Sequence, residues 1–231
     1  MSSDRIKETD RKPSTHKPEQ RQERAELGRK SDARAKIVED LVSKKYPISP
    51  EKRRDQSGDL HFRDDKSFHD EMKRREPQAN ERDIKDTLGF HDPRDGRAFV
   101  RDSHNTLEKA THEKIHQKSK SHMDTSLKEG FTEYFTKETA GPMGQVRDYD
   151  RHGREIKRAE CYGKERDIAS RMDAVADRKT INDAYFHGKT ESLRGEVDAA
   201  FGKGSFDEIN KAMKAGNYEE AKKITERYRR R

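Results

Sequence analysis

Two histidines four residues apart flank a glutamate at His112-Glu113-Lys114-Ile115-His116, the pattern H-E-x-x-H. On a helix, positions i and i+4 share a face, so both imidazoles can reach one metal ion. Glu113, beside the first histidine, is placed to take a proton from a water held by that ion. The chemistry of such a trio is metal-assisted hydrolysis. A catalytic zinc usually takes three protein groups and a water, so a further donor must follow the motif.

Residues 117–124 are polar and loop-like. After them Leu127, Phe131, Tyr134 and Phe135 fall at i, i+4, i+7 and i+8, which is an amphipathic helix. Glu129 and Glu133 share one of its faces. Two donors are open for the third position: Glu129, and His122, six residues after His116. Ser126-x-x-Glu129 also has the form of a capping box, in which Glu129 only closes the helix start. In the motif helix, Leu107, Thr111 and Ile115 form one stripe, with His112 and His116 on the next. Packing can then hold the helix while the histidines face a cleft. Asn105 is the expected N-cap, with Glu108 three residues on.

H-E-x-x-H followed by a helix bearing E-x-x-x-E resembles the gluzincin class of zinc metallopeptidases. Glu129-Gly130-Phe131-Thr132-Glu133-Tyr134-Phe135 is similar to the E-G-x-x-E-Y-F form of several small members. The likeness is strong over 105–137 and weaker through Ala184-Tyr185-Phe186-His187-Gly188. It implies a zincin-like fold and a zinc endopeptidase acting on protein or peptide substrates. It also implies His112, His116 and Glu129 as zinc ligands, Glu113 as general base, and Glu133 as acceptor for the other N–H of a ligand imidazole. The linker from His116 to Glu129 is short for the class, so a tight turn must bring the two helices together.

Peptide hydrolysis also needs a donor for the developing oxyanion. The candidates are Tyr149, Tyr162, Tyr185 and His187, and spacing does not choose among them. Tyr149 follows Gly141-Pro142-Met143-Gly144, a loop able to wall a cleft. Tyr185 sits in the short Ala-Tyr-Phe-His-Gly element, whose aromatics more often belong to a core.

The elements that must position these groups are few. The chain is 43% charged and 27% hydrophobic, with 7% aromatic residues and no Trp, too polar for its whole length to pack. Residues 1–55 hold 16 basic and 11 acidic residues and one aromatic, Tyr46. They read as a disordered basic arm, with a short amphipathic helix over 33–42. Residues 56–231 read as an α+β, mainly α domain with a short strand layer: a strand at 59–63, a helix at 64–75, and a hairpin of 88–91 with 97–101 around Pro93-Arg94-Asp95-Gly96. Helices follow over 166–178, 191–201, 206–214 capped by Ser205, and 218–229 capped by Asn217.

The net charge of +7 arises from 53 basic against 46 acidic residues, a mixed solvated surface, so nucleic acid is not the expected partner. The rival reading is a basic nucleic-acid or scaffold-binding protein in which H-E-x-x-H is incidental. Cys161 is the single cysteine, so no internal disulfide framework forms. No apolar run reaches membrane-spanning length and no secretory h-region opens the chain, which fits the cytoplasm of the producing cell. The arm suggests docking on a secretion or injection apparatus, as in a toxin-like effector exported without a signal peptide.

Overall fold

The computed structural model describes residues 33–47, 59–104, 106–141 and 162–227. Most of the expected arm, together with Asn105, Tyr149 and Cys161, lies outside them. The described chain is mainly helical with one small sheet. A helix over residues 33–45 (α1) precedes strand Leu60–Arg63 (β1), helices Asp65–Arg75 (α2) and Glu81–Asp86 (α3), and strands Gly89–Asp92 (β2) and Arg97–Arg101 (β3). Helices Leu107–Lys118 (α4), Thr125–Ala140 (α5), Gly163–Asp173 (α6), Arg178–His187 (α7), Thr190–Phe201 (α8), Ser205–Lys214 (α9) and Tyr218–Thr225 (α10) follow. Among the described residues, no helix is long and apolar enough to cross a membrane.

The hairpin forms as its turn chemistry predicts: β2 pairs antiparallel with β3, Phe90 opposite Phe99 and His91 opposite Ala98. Strand β1 joins the far side of β3 in parallel, with Leu60 opposite Ala98 and Phe62 opposite Val100. Alternation along the strands sorts the two faces. Phe90 and Phe99 turn toward Phe68, Met72 and Ile84 of α2 and α3. Leu60 and Phe62 turn the other way, onto the larger core that contains Ile115 of α4. Gln117 ties the end of α4 to the hairpin turn, donating from Nε2 to the Gly96 carbonyl at 2.8 Å.

Helix α1 is more than a solvated segment. Val38 and Val42 are fully buried and Tyr46 is 5% exposed. The Tyr46 ring stacks on Phe186 at 4.7 Å and meets Phe135 edge-on at 5.1 Å. Its hydroxyl donates to Glu138 at 3.0 Å. Spacing at 38, 42 and 46 supplies the buried stripe, while Ile37, counted toward an apolar face by its type, is 48% exposed.

Glu39 on α1 pairs with Lys114, and with Lys118 at 3.3 Å, so α1 is clamped to the back of α4. Burial pushes the Glu39 carboxyl up, but Lys114, Ser43 and Lys118 outweigh it and bring it down to about 2. A folded-state value below the unfolded one means the contribution is full above the unfolded pKa and is lost as pH falls through about 2. Because the Glu39 side chain is 43% exposed, screening reduces its worth to about 1 kcal/mol. Denaturant midpoints are therefore expected to separate native protein from Glu39→Gln at pH 7 and to converge as pH falls from 5 toward 2. A separation that persists at the low end would exclude this pair as its source.

Three local expectations are corrected. The predicted helix over 166–178 is two elements, because α6 ends at Asp173 and Asp177 caps α7 by accepting from the Lys179 amide at 3.2 Å. Ser205 is not a cap. Asp198 accepts from the Gly204 and Phe206 amides at 2.9 Å each, and the Ser205 hydroxyl is buried with no partner. At the head of α4 the cap is Thr106, whose hydroxyl accepts from the Lys109 amide at 3.0 Å. Glu108 turns instead to Lys137 on α5. Asn217 caps α10 as predicted, accepting from the Glu220 amide at 3.3 Å.

Candidate metal centre

Serines solve the short linker between α4 and α5. The Ser121 amide donates to Ser119 Oγ at 3.2 Å and the Met123 amide to Ser121 Oγ at 3.1 Å, two consecutive side-chain turns. The Lys120 amide and the Ser119 hydroxyl both donate to the Tyr185 carbonyl, at 3.1 and 3.2 Å. Asp124 then caps α5 by accepting from the Ser126 amide at 3.2 Å. The Ser126–Glu129 capping box is thereby displaced, and the Glu129 carboxylate turns to α4.

There it meets both histidines. Glu129 Oε2 lies 3.3 Å from His112 Nε2 and 3.1 Å from His116 Nε2. One ligand atom from each of the three residues falls within 4.8 Å of the others. Zinc bonds of about 2.0–2.1 Å to N and O, set tetrahedrally, separate ligand atoms by about 3.3 Å. The two separations from Glu129 Oε2 match that edge, and the three donors together lie close enough for one ion to take a ligand atom from each. His112 and His116 are 3% and 8% exposed.

The other nitrogen of each imidazole is held from behind, which is what fixes a ligand tautomer. His112 Nδ1 faces Glu133 Oε2 at 3.1 Å. His116 Nδ1 faces Thr132 Oγ1 at 3.4 Å. Thr132 donates its own proton to the Lys128 carbonyl at 2.8 Å, so its lone pairs are left to accept from His116 and from the Tyr185 hydroxyl. Both Nε2 atoms are thus the ones turned to Glu129.

Charge in the cluster is tightly balanced. Burial and Lys109 oppose a proton on His112, yet hydrogen bonds to Glu129 and Glu133 lift it above the ordinary histidine value. Burial holds His116 below that value despite Glu129. Burial pushes the Glu129 carboxyl up, and the two histidines more than reverse it, leaving it well below the usual range. A cation at this point replaces a proton that the carboxylates otherwise demand.

Glu113 is 2% exposed and sits against the sheet. Its Oε1 is 2.8 Å from Lys109 Nζ. Burial raises the Glu113 carboxyl, but Lys109 and the two imidazoles bring it below the ordinary value, so it is ionised. A β-carbon at Gly89 would stand 2.8 Å from Glu113 Oε1 and 3.0 Å from the Phe99 carbonyl oxygen. Only glycine lets β2 run this close to the carboxylate.

The remaining candidates separate. His122 is exposed and stands outside the three-donor group, beside Gly188, so it is not the third ligand. Tyr185 is fully buried with its hydroxyl on Thr132, which makes it a support behind His116 and not a group facing substrate. The aromatic packing of that element accounts for this: Tyr185 lies 5.0 Å from Phe135 and 4.9 Å from Phe186. Its neighbour His187 closes α7 ahead of Gly188, at φ 70°. Tyr162 lies at the site, with its ring stacked on His112 at 5.6 Å and 10°. It is 37% exposed and holds φ 59°, a left-handed conformation uncommon for an aromatic residue. Gly130 permits this placement, because a β-carbon there would collide with the Glu165 carbonyl of α6, the helix that Tyr162 begins.

Sequence reasoning did not single out Lys109, Thr132, Gly89 or His91. Lys109, four before Glu113, and Thr132, three after Glu129, carry a helical-spacing signal. Gly89 and His91 are brought in only by the sheet. In comparisons with known proteins, no family model, no curated protein and no solved structure matches this chain.

Proposed function

We propose that the chain is a zinc-dependent hydrolase of peptide bonds with a gluzincin-type ligand set, His112, His116 and Glu129. The observation that carries the reading is the convergence of both Nε2 atoms on Glu129 Oε2, with both Nδ1 atoms engaged behind them. Zinc bound there supplies a Lewis acid and a water whose pKa falls to about 7. Glu113, ionised and adjacent to His112, accepts the proton of the attacking water and returns it to the leaving nitrogen. Glu133 and Thr132 keep the two imidazoles oriented. Tyr162, partly exposed beside His112, donates its hydroxyl to the substrate oxyanion.

Glu113→Gln is the primary test. Cleavage of proteome-derived peptides is expected to fall by 10²-fold or more, roughly the worth of general acid–base catalysis, with one zinc per chain retained. Tyr162→Phe is expected to lower kcat by about 10²-fold, the cost of one oxyanion donor, with little change in KM. An equal loss in zinc content would instead make Tyr162 a structural cover for His112.

A second reading, a metal-holding domain without turnover, is favoured by the Lys109 ion pair, which occupies one oxygen of Glu113. Under that reading no peptide is cut by native protein at any zinc loading, and Glu113→Gln changes nothing but stability.

A further inference from the structure

Lys109, His112, Glu113 and His116 fall at i, i+3, i+4 and i+7, one stripe of α4, with Lys109 a turn ahead of Glu113. Lys109 Nζ lies 2.8 Å from Glu113 Oε1, and the two side chains are 17% and 3% exposed. On an isolated helix this order is the weaker one, since a carboxylate does better ahead of its lysine. Burial makes the pair strong here, because little water is left to screen it. Strand β2 borders the same oxygen: a β-carbon at Gly89 would stand 2.8 Å from Oε1 and 3.0 Å from Glu113 Cγ. The two oxygens of a carboxylate point apart, so holding Oε1 at this place aims Oε2 away from Lys109 and β2.

The same device is complete on α5. Lys137, one turn after Glu133, lies 3.6 Å from Glu133 Oε1, and Glu133 Oε2 faces His112 Nδ1 at 3.1 Å. A lysine holds one oxygen and the other is delivered to the centre.

Resting on the hydrolytic reading of the centre, we infer that Lys109 is a positioning residue. It anchors Glu113 Oε1, so that Oε2 is the oxygen presented to the attacking water. The water's proton passes to Oε2, and the ion pair at Oε1 is kept throughout. Lys109 acts through Glu113 and touches no reacting atom.

The test is calorimetric titration of the zinc-loaded full chain with acetohydroxamic acid. This probe takes a metal through its two oxygens and passes its O–H proton to a carboxylate beside the metal, so its affinity reads the position of Glu113 with no bond cut. Glu113→Gln and Lys109→Met are each expected to weaken it about tenfold, and Lys109→Arg to restore most of the loss, with zinc content unchanged. In peptide cleavage, Lys109→Met is expected to lower kcat about tenfold, part of the roughly 10²–10⁴-fold worth of general acid–base catalysis, and to leave KM unchanged. Removing Lys109 alone leaves a buried carboxylate uncompensated and threatens folding. The double variant Lys109→Met with Glu113→Gln removes both charges and is expected to bind the probe as Glu113→Gln alone does. A further fall in the double variant overturns the inference, since Lys109 would then act apart from Glu113. So does native affinity in Lys109→Met, or faster cleavage, which would make the lysine an obstruction of the base. A Lys109-dependent affinity in a protein that cuts no peptide upholds the positioning role and removes the hydrolase reading.

Discussion

Glu129→Gln is expected to weaken zinc binding by about 100-fold or more and to abolish any zinc-dependent hydrolysis. The full apparent binding free energy of a protein zinc site is about 10–16 kcal/mol, so one of three protein ligands accounts for several kcal/mol. Glutamine keeps the shape and a carbonyl oxygen but loses the charge that balances the ion. Glu133→Gln gives the graded control. Its oxygen still accepts from His112 Nδ1, so the expected loss is nearer tenfold, at the low end for a partner that orients a ligand. His122→Ala is expected to change neither quantity, because that imidazole is exposed and outside the donor group. Competition of purified variants against a zinc chelator measures all three. Native-like affinity in Glu129→Gln would remove Glu129 from the ligand set, and with it the gluzincin reading.

Tyr46→Ala should cost about 3–5 kcal/mol of folding stability, the range for deleting a buried aromatic side chain. The ring contacts Phe135 of α5 and Phe186 of α7, the two helices that carry Glu129 and Tyr185. Deleting it opens a cavity between them and leaves Glu138 without its hydroxyl donor. With total stability of domains this size at about 5–15 kcal/mol, the variant stands near the edge of folding at 37 °C. Denaturant unfolding of native and variant protein at fixed zinc measures the difference. A loss under about 1 kcal/mol would show that α1 contributes little to the core, and residues 33–47 would return to the arm that their charge suggests. Ile37→Ala, at an exposed position of the same helix, is the matched control and should be nearly silent.

The outcome at α1 shows why composition misled. Residues 33–47 lie within the stretch 1–55, whose 16 basic and 11 acidic residues set its mean polarity, and that average outweighs three well-spaced side chains in a composition-based reading. Burial is decided by whether Val38, Val42 and Tyr46 find a partner face, and that face is built from residues 110–186 of the same chain. Glu39 makes the same point electrostatically, since its lysine partners on α4 lie about 75 or more residues away. Turn and cap chemistry, being local, was legible for the hairpin, Asp64–Arg75 and Asn217. It failed at Asn105 and Ser205, where a neighbouring residue or a distant carboxylate offered the better hydrogen bond.

Residue spacing alone places His112 and His116 on one helical face, Glu129 and Glu133 on another, and marks the short amphipathic elements that carry them. These follow from 3.6 residues per turn and need nothing beyond local geometry. Packing of the elements settles that Glu129 and not His122 joins the histidines, that Tyr185 backs His116 while Tyr162 stacks on His112, and that Gly89 borders Glu113. Each of those outcomes depends on where one element's face lands on another. That landing is set by capping at Asp124, the serine turns of residues 119–123 and the close approach at Gly130, small local events whose consequences appear only when helices and sheet are packed together.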